Sequence, residues 1–239
     1  FIHLDLLKRK NSMKEQYCKI LPFWSKLSAG GKEKFCNNLM PHSYFSGERV
    51  HGGENCNVVI FIVSGCLRVY MLSEEGRDVT LYRLYKGDVC MLSASCVLPE
   101  ITFDVYVDAE EDCDCYVIRG SVFSQIAQEE RDLKMFAYET ALTRFSEVIW
   151  VIQKIMFMRA DKRLAVFLWD EMLRTGSEII SLTQEQIAKY ISSAREVVSG
   201  TLKYFVGERI VEVARKGVQQ IKRDCRRLRS HNYLCDAVT

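Results

Sequence analysis

The apolar positions change period twice along the chain. Residues 14–40 carry short helical patterns, and Pro41 closes them. From Tyr44 the apolar residues gather in the short runs NVVIFIV, CLRVYML and VTLYRLY, separated by SG, SEEGRD and KGD. β-branched and aromatic residues between glycine-bearing turns predict antiparallel strands. ITFDVYVDA alternates residue by residue, and CDCYVI follows an acidic turn. So many short strands within about a hundred residues predict a jelly roll or barrel.

From Ser121 the period becomes helical. A short piece, SVFSQIAQEE, precedes a long helix expected from Leu133 to Met158, with Phe136, Thr140, Val148, Val151, Ile152, Ile155 and Met158 among its apolar positions. Its stretch VIWVIQKIMFM is apolar on most sides, so it needs cover. One side is expected on the barrel and the other on a partner subunit; burial within a single chain is the alternative. Asp161 is expected to cap the next helix, DKRLAVFLWDEMLRTG, which Gly176 ends.

Beyond it, Thr183 and Gln186 are spaced as a capping box. The helix QEQIAKYI places Ile187 and Ile191 on one face, with Ala188 leaving room for a second helix. Ser192, Ser193 and Ala194 form a turn, and a second helix runs from Arg195 to about Val206. Val197, Val198, Leu202 and Phe205 are expected to form its buried stripe. Arg195, Glu196, Ser199 and Lys203 then fall on its polar side. ERIVEVARKGVQQIKR reads as two strands around a wing tip with Arg215 and Lys216. Helix, turn, helix and basic wing in this order predict a DNA reader whose second helix enters the major groove. Arginine pairs with guanine, and glutamate accepts from cytosine.

Charge sharpens this. The 239-residue chain has a net charge of only +2, yet residues 182–230 hold eleven Lys and Arg against five Asp and Glu. A basic segment on a nearly neutral chain points to an anionic partner there. No run of eighteen or more apolar residues predicts a membrane span. FIHLDLLKRKNS has the reverse order of a secretory signal, and Met13 opens a domain start, so residues 1–13 read as a prefix or disordered start. The ten cysteines are scattered, and reduced thiols in the cytoplasm are expected.

These parts resemble the Crp/Fnr regulators, dimeric bacterial transcription factors with a jelly-roll sensor, a long dimer helix and a C-terminal winged helix-turn-helix. The resemblance rests on IFIVSGCLRVY, SEEGR and YKGDV in the sensor, on KRLAVFL, and on LTQEQIAKYISSAREVVSGTLKYF. It implies an α+β chain with a sensor over 14–130, a dimerisation helix over 131–159 and a DNA-binding domain over 160–239. It makes Arg195, Glu196 and Ser199 the base-reading candidates and Thr183, Gln184 and Ser193 the backbone contacts. Lys203, Arg215 and Lys216 are further DNA contacts. It also implies a homodimer on a near-palindromic operator of double-stranded DNA, with RNA polymerase as a further partner.

The chain departs from the family twice. Gly200 stands where the family's R-E-x-x-x-R pattern ends in arginine, so operator preference should diverge there. In the sensor, Met91 and Leu92 fall where cyclic-nucleotide binders carry Gly-Glu, and Phe103 and Asp104 where they carry Arg-Ser. A carboxylate in place of the phosphate's arginine repels that ligand, so cAMP and cGMP are not expected to bind. The effector pocket candidates are Met91, Leu92, Ser93, Ser95, Cys96, Phe103 and Asp104.

No cofactor is predicted. A redox thiol or haem ligand at Cys96 is one alternative to a pocket-lining hydrophobe there. Cys18 and Cys36 are too few and too far apart in sequence for the family's iron–sulfur cluster. Cys113 and Cys115 share a strand face but lack further zinc ligands. A cupin-like metalloenzyme or a small-molecule-binding protein without DNA function is the other reading. The four histidines, with no H-x-H pair, give it no metal set, and no catalytic residue is assigned.

Overall fold

The structure is a computed structural model and describes residues 14–52, 58–91, 105–213 and 218–221. Its contacts gather into two units, Phe1–Leu72 with Leu81–Val148, and Ser73–Thr80 with Ile149–Thr239.

The first unit opens with helix α1 over residues 14–20, a 3-10 turn at Trp24–Lys26 and α2 (Ala29–Asn38). Eight strands follow: β1 (Met40–Tyr44), β2 (Arg49–Gly52), β3 (Val58–Ile62), β4 (Leu67–Leu72), β5 (Asp78–Leu84), β6 (Val89–Cys90), β7 (Tyr106–Ala109) and β8 (Cys113–Arg119). Two four-stranded sheets result, ordered β1-β8-β3-β6 and β2-β7-β4-β5. β1 and β3 run antiparallel to β8, β3 to β6, and β2 and β4 to β7.

The continuous apolar run in β3 has a physical reason. Ile60 and Ile62 enter a core with Leu67, Val69 and Val107 from the other sheet, whereas Val59 and Phe61 enter a second core with Phe35, Phe123 and Leu133 from the helices. A strand buried on both faces loses its polar alternation. The turn after β3 requires glycine: Gly65 has φ +83°, and a Cβ there would lie 2.2 Å from the Asp112 carbonyl.

One boundary differs from the sequence expectation. Pro41 does not close the helical region; it sits inside β1, opposite Tyr116. β1 is a sheet edge, where the missing N–H costs no ladder bond. The strands therefore begin at Met40 rather than Tyr44.

Two helices close the barrel region, α3 (Gly120–Glu129) and the 27-residue α4 (Arg131–Phe157), about 40 Å long at 1.5 Å per residue. α4 continues into the second unit. There follow α5 (Ala160–Thr175), β9 (Ile179–Ser181), α6 (Gln184–Tyr190), α7 (Arg195–Gly207), β10 (Val211–Val213) and β11 (Val218–Ile221). The three strands form an antiparallel sheet, β10-β11-β9. Gly176, at φ +64°, ends α5 as expected. Its start differs: Arg159 is the N-cap, without a side-chain bond, and Asp161 lies inside the first turn. Asp161 accepts from the Lys162 N–H and pairs with Arg159 at 3.5 Å, so it acts on the helix dipole rather than as a cap.

No described helix is long and apolar enough to cross a membrane.

Candidate DNA-binding site

The site is built outward from a small core. Leu164, Ala165 and Leu168 of α5, Ile187 and Ala188 of α6, and Val198, Leu202 and Phe205 of α7 are buried together, with Ile180 and Val211 from the sheet. Positions 198, 202 and 205 share one face of a helix, so packing them fixes which face of α7 looks outward.

The start of α6 is locked by the expected capping box. Thr183 Oγ1 accepts from the Gln186 N–H at 3.1 Å, and Gln186 Oε1 accepts from the Thr183 N–H at 2.8 Å. The turn to α7 is made by Ser192, buried and left-handed at φ +51°, with the Ser193 N–H donating to the Ala188 carbonyl at 3.0 Å. Serine's short polar side chain tolerates the tight turn, although a left-handed residue other than glycine is uncommon. Arg163 supports the turn from α5. It donates to the Ser192 carbonyl at 3.5 Å and to the Met158 carbonyl at 3.2 Å. Burial and the neighbouring Arg77 charge lower its pKa.

Ala194 is the N-cap of α7 and makes no side-chain cap bond. The Val197 N–H turns back to the Ala194 carbonyl at 3.1 Å, which leaves the N–H groups of Arg195 and Glu196 for solvent or an anion. Arg195, Glu196, Gly200 and Lys203 are exposed beyond them. Among the described residues, none of the three charged side chains is held by a hydrogen bond or ion pair. Two expectations for α7 change. Val197 is not in the buried stripe; it is 44% exposed and joins the outward face. Ser199 is half-buried beside the core and stands off that face's centre. Both follow from the choice of Val198 as core residue, which places its neighbours 100° to either side. Pattern alone missed Val197 because a valine reads as core; the helical angle from Val198, Leu202 and Phe205 was the available signal.

Gly200 is not a packing glycine. A Cβ there would meet nothing within 4 Å, and the residue lines an open groove of about 800 Å³ with Arg159, Asp161, Val197, Thr201 and Tyr204. Thr183 is exposed, and Gln184 and Ser193 are half-exposed. Arg215 and Lys216 lie outside the described residues, but β10 and β11 pair across them as a wing requires.

In the sensor, Met91 packs against the helix-side core. Leu92, Ser93, Ser95, Cys96, Phe103 and Asp104 lie outside the described residues. The turn that leads to them is well defined. Asp88 Oδ2 accepts from the Tyr85 N–H at 2.8 Å, and Gly87, at φ +91°, donates to the Ile62 carbonyl at 3.0 Å. Cys113 and Cys115 are buried on the inward face of β8, where burial pushes their thiols up to about 11 and about 12. Among the described residues no cluster of three potential ligands could hold a metal ion.

Comparison with known proteins agrees with this layout. Residues 48–130 match the cyclic nucleotide-binding domain family, and residues 162–230 match the Crp-like helix-turn-helix domain. The chain is 23% identical over 194 residues to the cAMP-activated global transcriptional regulator CRP of Salmonella typhimurium, covering 78% of this chain and 91% of that protein. The fold is shared with FixK2 of Bradyrhizobium japonicum, at 19% identity and a TM-score of 0.68, over 80% and 96% of the two chains. A crp/fnr-family structure from Eubacterium rectale superposes with a TM-score of 0.80 at 37% identity, over 87% of this chain and 96% of that one. A capped helix-turn-helix that follows a two-sheet domain along the chain, with that identity over nearly the whole of a family member, makes this chain a member of the Crp/Fnr family.

Proposed function

We propose that the protein is a homodimeric, sequence-specific DNA-binding transcription regulator whose sensor answers to a signal other than a cyclic nucleotide. The observation that carries the reading is the outward face of α7, where Arg195, Glu196, Val197, Gly200 and Lys203 stand clear of a core that fixes their direction. Arg195 and Glu196 supply base-edge chemistry, and their own backbone N–H groups at the start of α7 are free for phosphate.

Dimerisation is supported by α4. Met135, Tyr138, Leu142, Phe145, Ile149, Ile152 and Met156 recur at alternating spacings of three and four. That is the a/d repeat of a coiled coil. Leu142 and Phe145 are 66% and 63% exposed in the single chain. A second copy pairing along this seam covers them and sets two recognition helices on half-sites about 34 Å apart. The CRP relatives are named as cAMP-activated. Here the expected ribose- and phosphate-binding positions hold Met91, Leu92, Phe103 and Asp104 instead. A small molecule or a redox change in the sensor fits these residues better. Such a regulator acts in the cytoplasm with RNA polymerase as its onward partner.

Selection of bound duplexes from a random pool tests the reading. Enrichment of a near-palindrome supports it, and recovery of no preferred sequence refutes it. Calorimetry with cAMP tests the signal: micromolar binding would overturn the second half of the proposal.

A further inference from the structure

Cys18 and Cys36 are eighteen residues apart in sequence, yet their Sγ atoms lie 3.2 Å apart. A disulfide needs about 2.0 Å, so closure asks each thiol to move by roughly half an ångström. We propose that Cys18 and Cys36 are a redox pair that closes to a disulfide on exposure to a hydroperoxide. The two sulfurs are unequal. Cys18, on α1, is fully buried in the helix-side core, and Cys36, on the last turn of α2, is half-exposed. Burial and the Cys36 contact push the Cys18 thiol up to about 12, which keeps it protonated at rest.

The chemistry follows from this asymmetry. Cys36, as its thiolate, attacks one peroxide oxygen; the O–O bond breaks, the other oxygen leaves as an alcohol or water, and Cys36 becomes a sulfenic acid. The Cys18 sulfur then displaces that hydroxyl. The S–S bond forms, the S–O bond breaks, and the Cys18 proton leaves with the oxygen as water. Two thiols lose two electrons in all, and one peroxide gains them.

The pair is placed to matter. α2, its N-cap and the 3-10 turn before it are fastened to the end of α3 and the start of α4. The Ser28 N–H and hydroxyl both donate to the Glu130 carboxylate. Gly31 presses on the same carboxylate so closely that a Cβ would sit 2.2 Å from Oε1. Lys34 pairs with Glu129, and Lys26 with Asp132 in the first turn of α4 at 3.4 Å. A covalent tie between α1 and α2 therefore acts on the segment that launches α4. That consequence rests on the DNA-binding reading; the disulfide itself does not.

The test treats full-length protein with hydrogen peroxide and maps its thiols by mass spectrometry. Expected is a linked peptide joining Cys18 to Cys36, short by two hydrogens, with two fewer alkylatable thiols. In Cys18→Ser, Cys36 should stop at sulfenic acid and be captured by a 1,3-diketone reagent; in Cys36→Ser, no link to Cys18 should form. A disulfide joining other cysteines in wild type, or an unmodified Cys36 in both wild type and Cys18→Ser, overturns the proposal. Affinity for the selected duplex, measured on the same oxidised sample, should change by about fivefold or more. A preferred duplex with unaltered affinity after full disulfide formation would defeat the regulatory consequence alone.

Discussion

Arg144 of α4 reaches back to Asp88, the residue that closes the turn before β6. Its Nη2 donates to Asp88 Oδ1 at 3.0 Å, while Nη1 is bidentate to Glu147. The guanidinium also lies over the Tyr82 ring, 5.2 Å from its centroid. Burial works against its charge, but the Glu147 and Asp88 carboxylates outweigh it and hold its pKa above the usual guanidinium value. One side chain thus ties the long helix to the turn between β5 and β6. Arg144→Ala should cost about 2 kcal/mol in urea unfolding, the range of hydrogen bonds to charged groups. Glu147→Gln should cost less, because Asp88 still holds the arginine.

Gly200 offers a change with two separable effects. Its surroundings are empty, so Gly200→Ala should stabilise the chain by up to about 1 kcal/mol through helix propensity alone. Thermal melting checks it. Gly200→Arg places a cation on the reading face and should tighten DNA binding. The slope of log affinity against log salt should steepen by about one if the new charge meets a phosphate.

Arg195→Ala should weaken the preferred duplex by about 1–3 kcal/mol and relax one base position. An equal loss on every sequence would show that the arginine meets only backbone. Val197 extends the test, since an exposed apolar side chain on a reading helix suits a thymine methyl group. Replacing single thymines by uracil in the selected duplex should weaken binding at one position per half-site. In Val197→Ala, that uracil effect should shrink.

The buried thiols set an alkaline limit. Cys115 is raised by burial from 9.0 to about 12, and Cys113 to about 11. Between pH 9 and those values the unfolded chain loses these protons and the folded chain keeps them. Stability present below pH 9 should therefore fall as pH rises, by about 1.4 kcal/mol per unit for each such thiol. Urea titrations from pH 8 to 11 read the slope. Cys115→Val should make it shallower by one thiol's share; Cys113, Cys18, Cys66 and the buried tyrosines, raised in the same direction, keep the rest.

The order of parts is legible in the chain itself. Apolar runs between glycine turns marked the strands. The Thr183–Gln186 spacing marked the start of α6, and Gly176 the end of α5. These signals are local: each depends on residues within one turn or one strand, so sequence contains them. Direction and distance were another matter. Val197 counted as core until Val198, Leu202 and Phe205 defined the buried face, because one hydrophobic residue cannot say which side of its helix is covered. Pro41 passed for a helix stop because only pairing with β8 reveals a sheet edge. Cys18 and Cys36 are eighteen residues apart along the chain, and that separation says nothing of where α1 and α2 pack. Sequence alone determined what the pieces are and their order; the tertiary structure decided which faces look outward and which thiols meet, since both depend on contacts between residues distant along the chain.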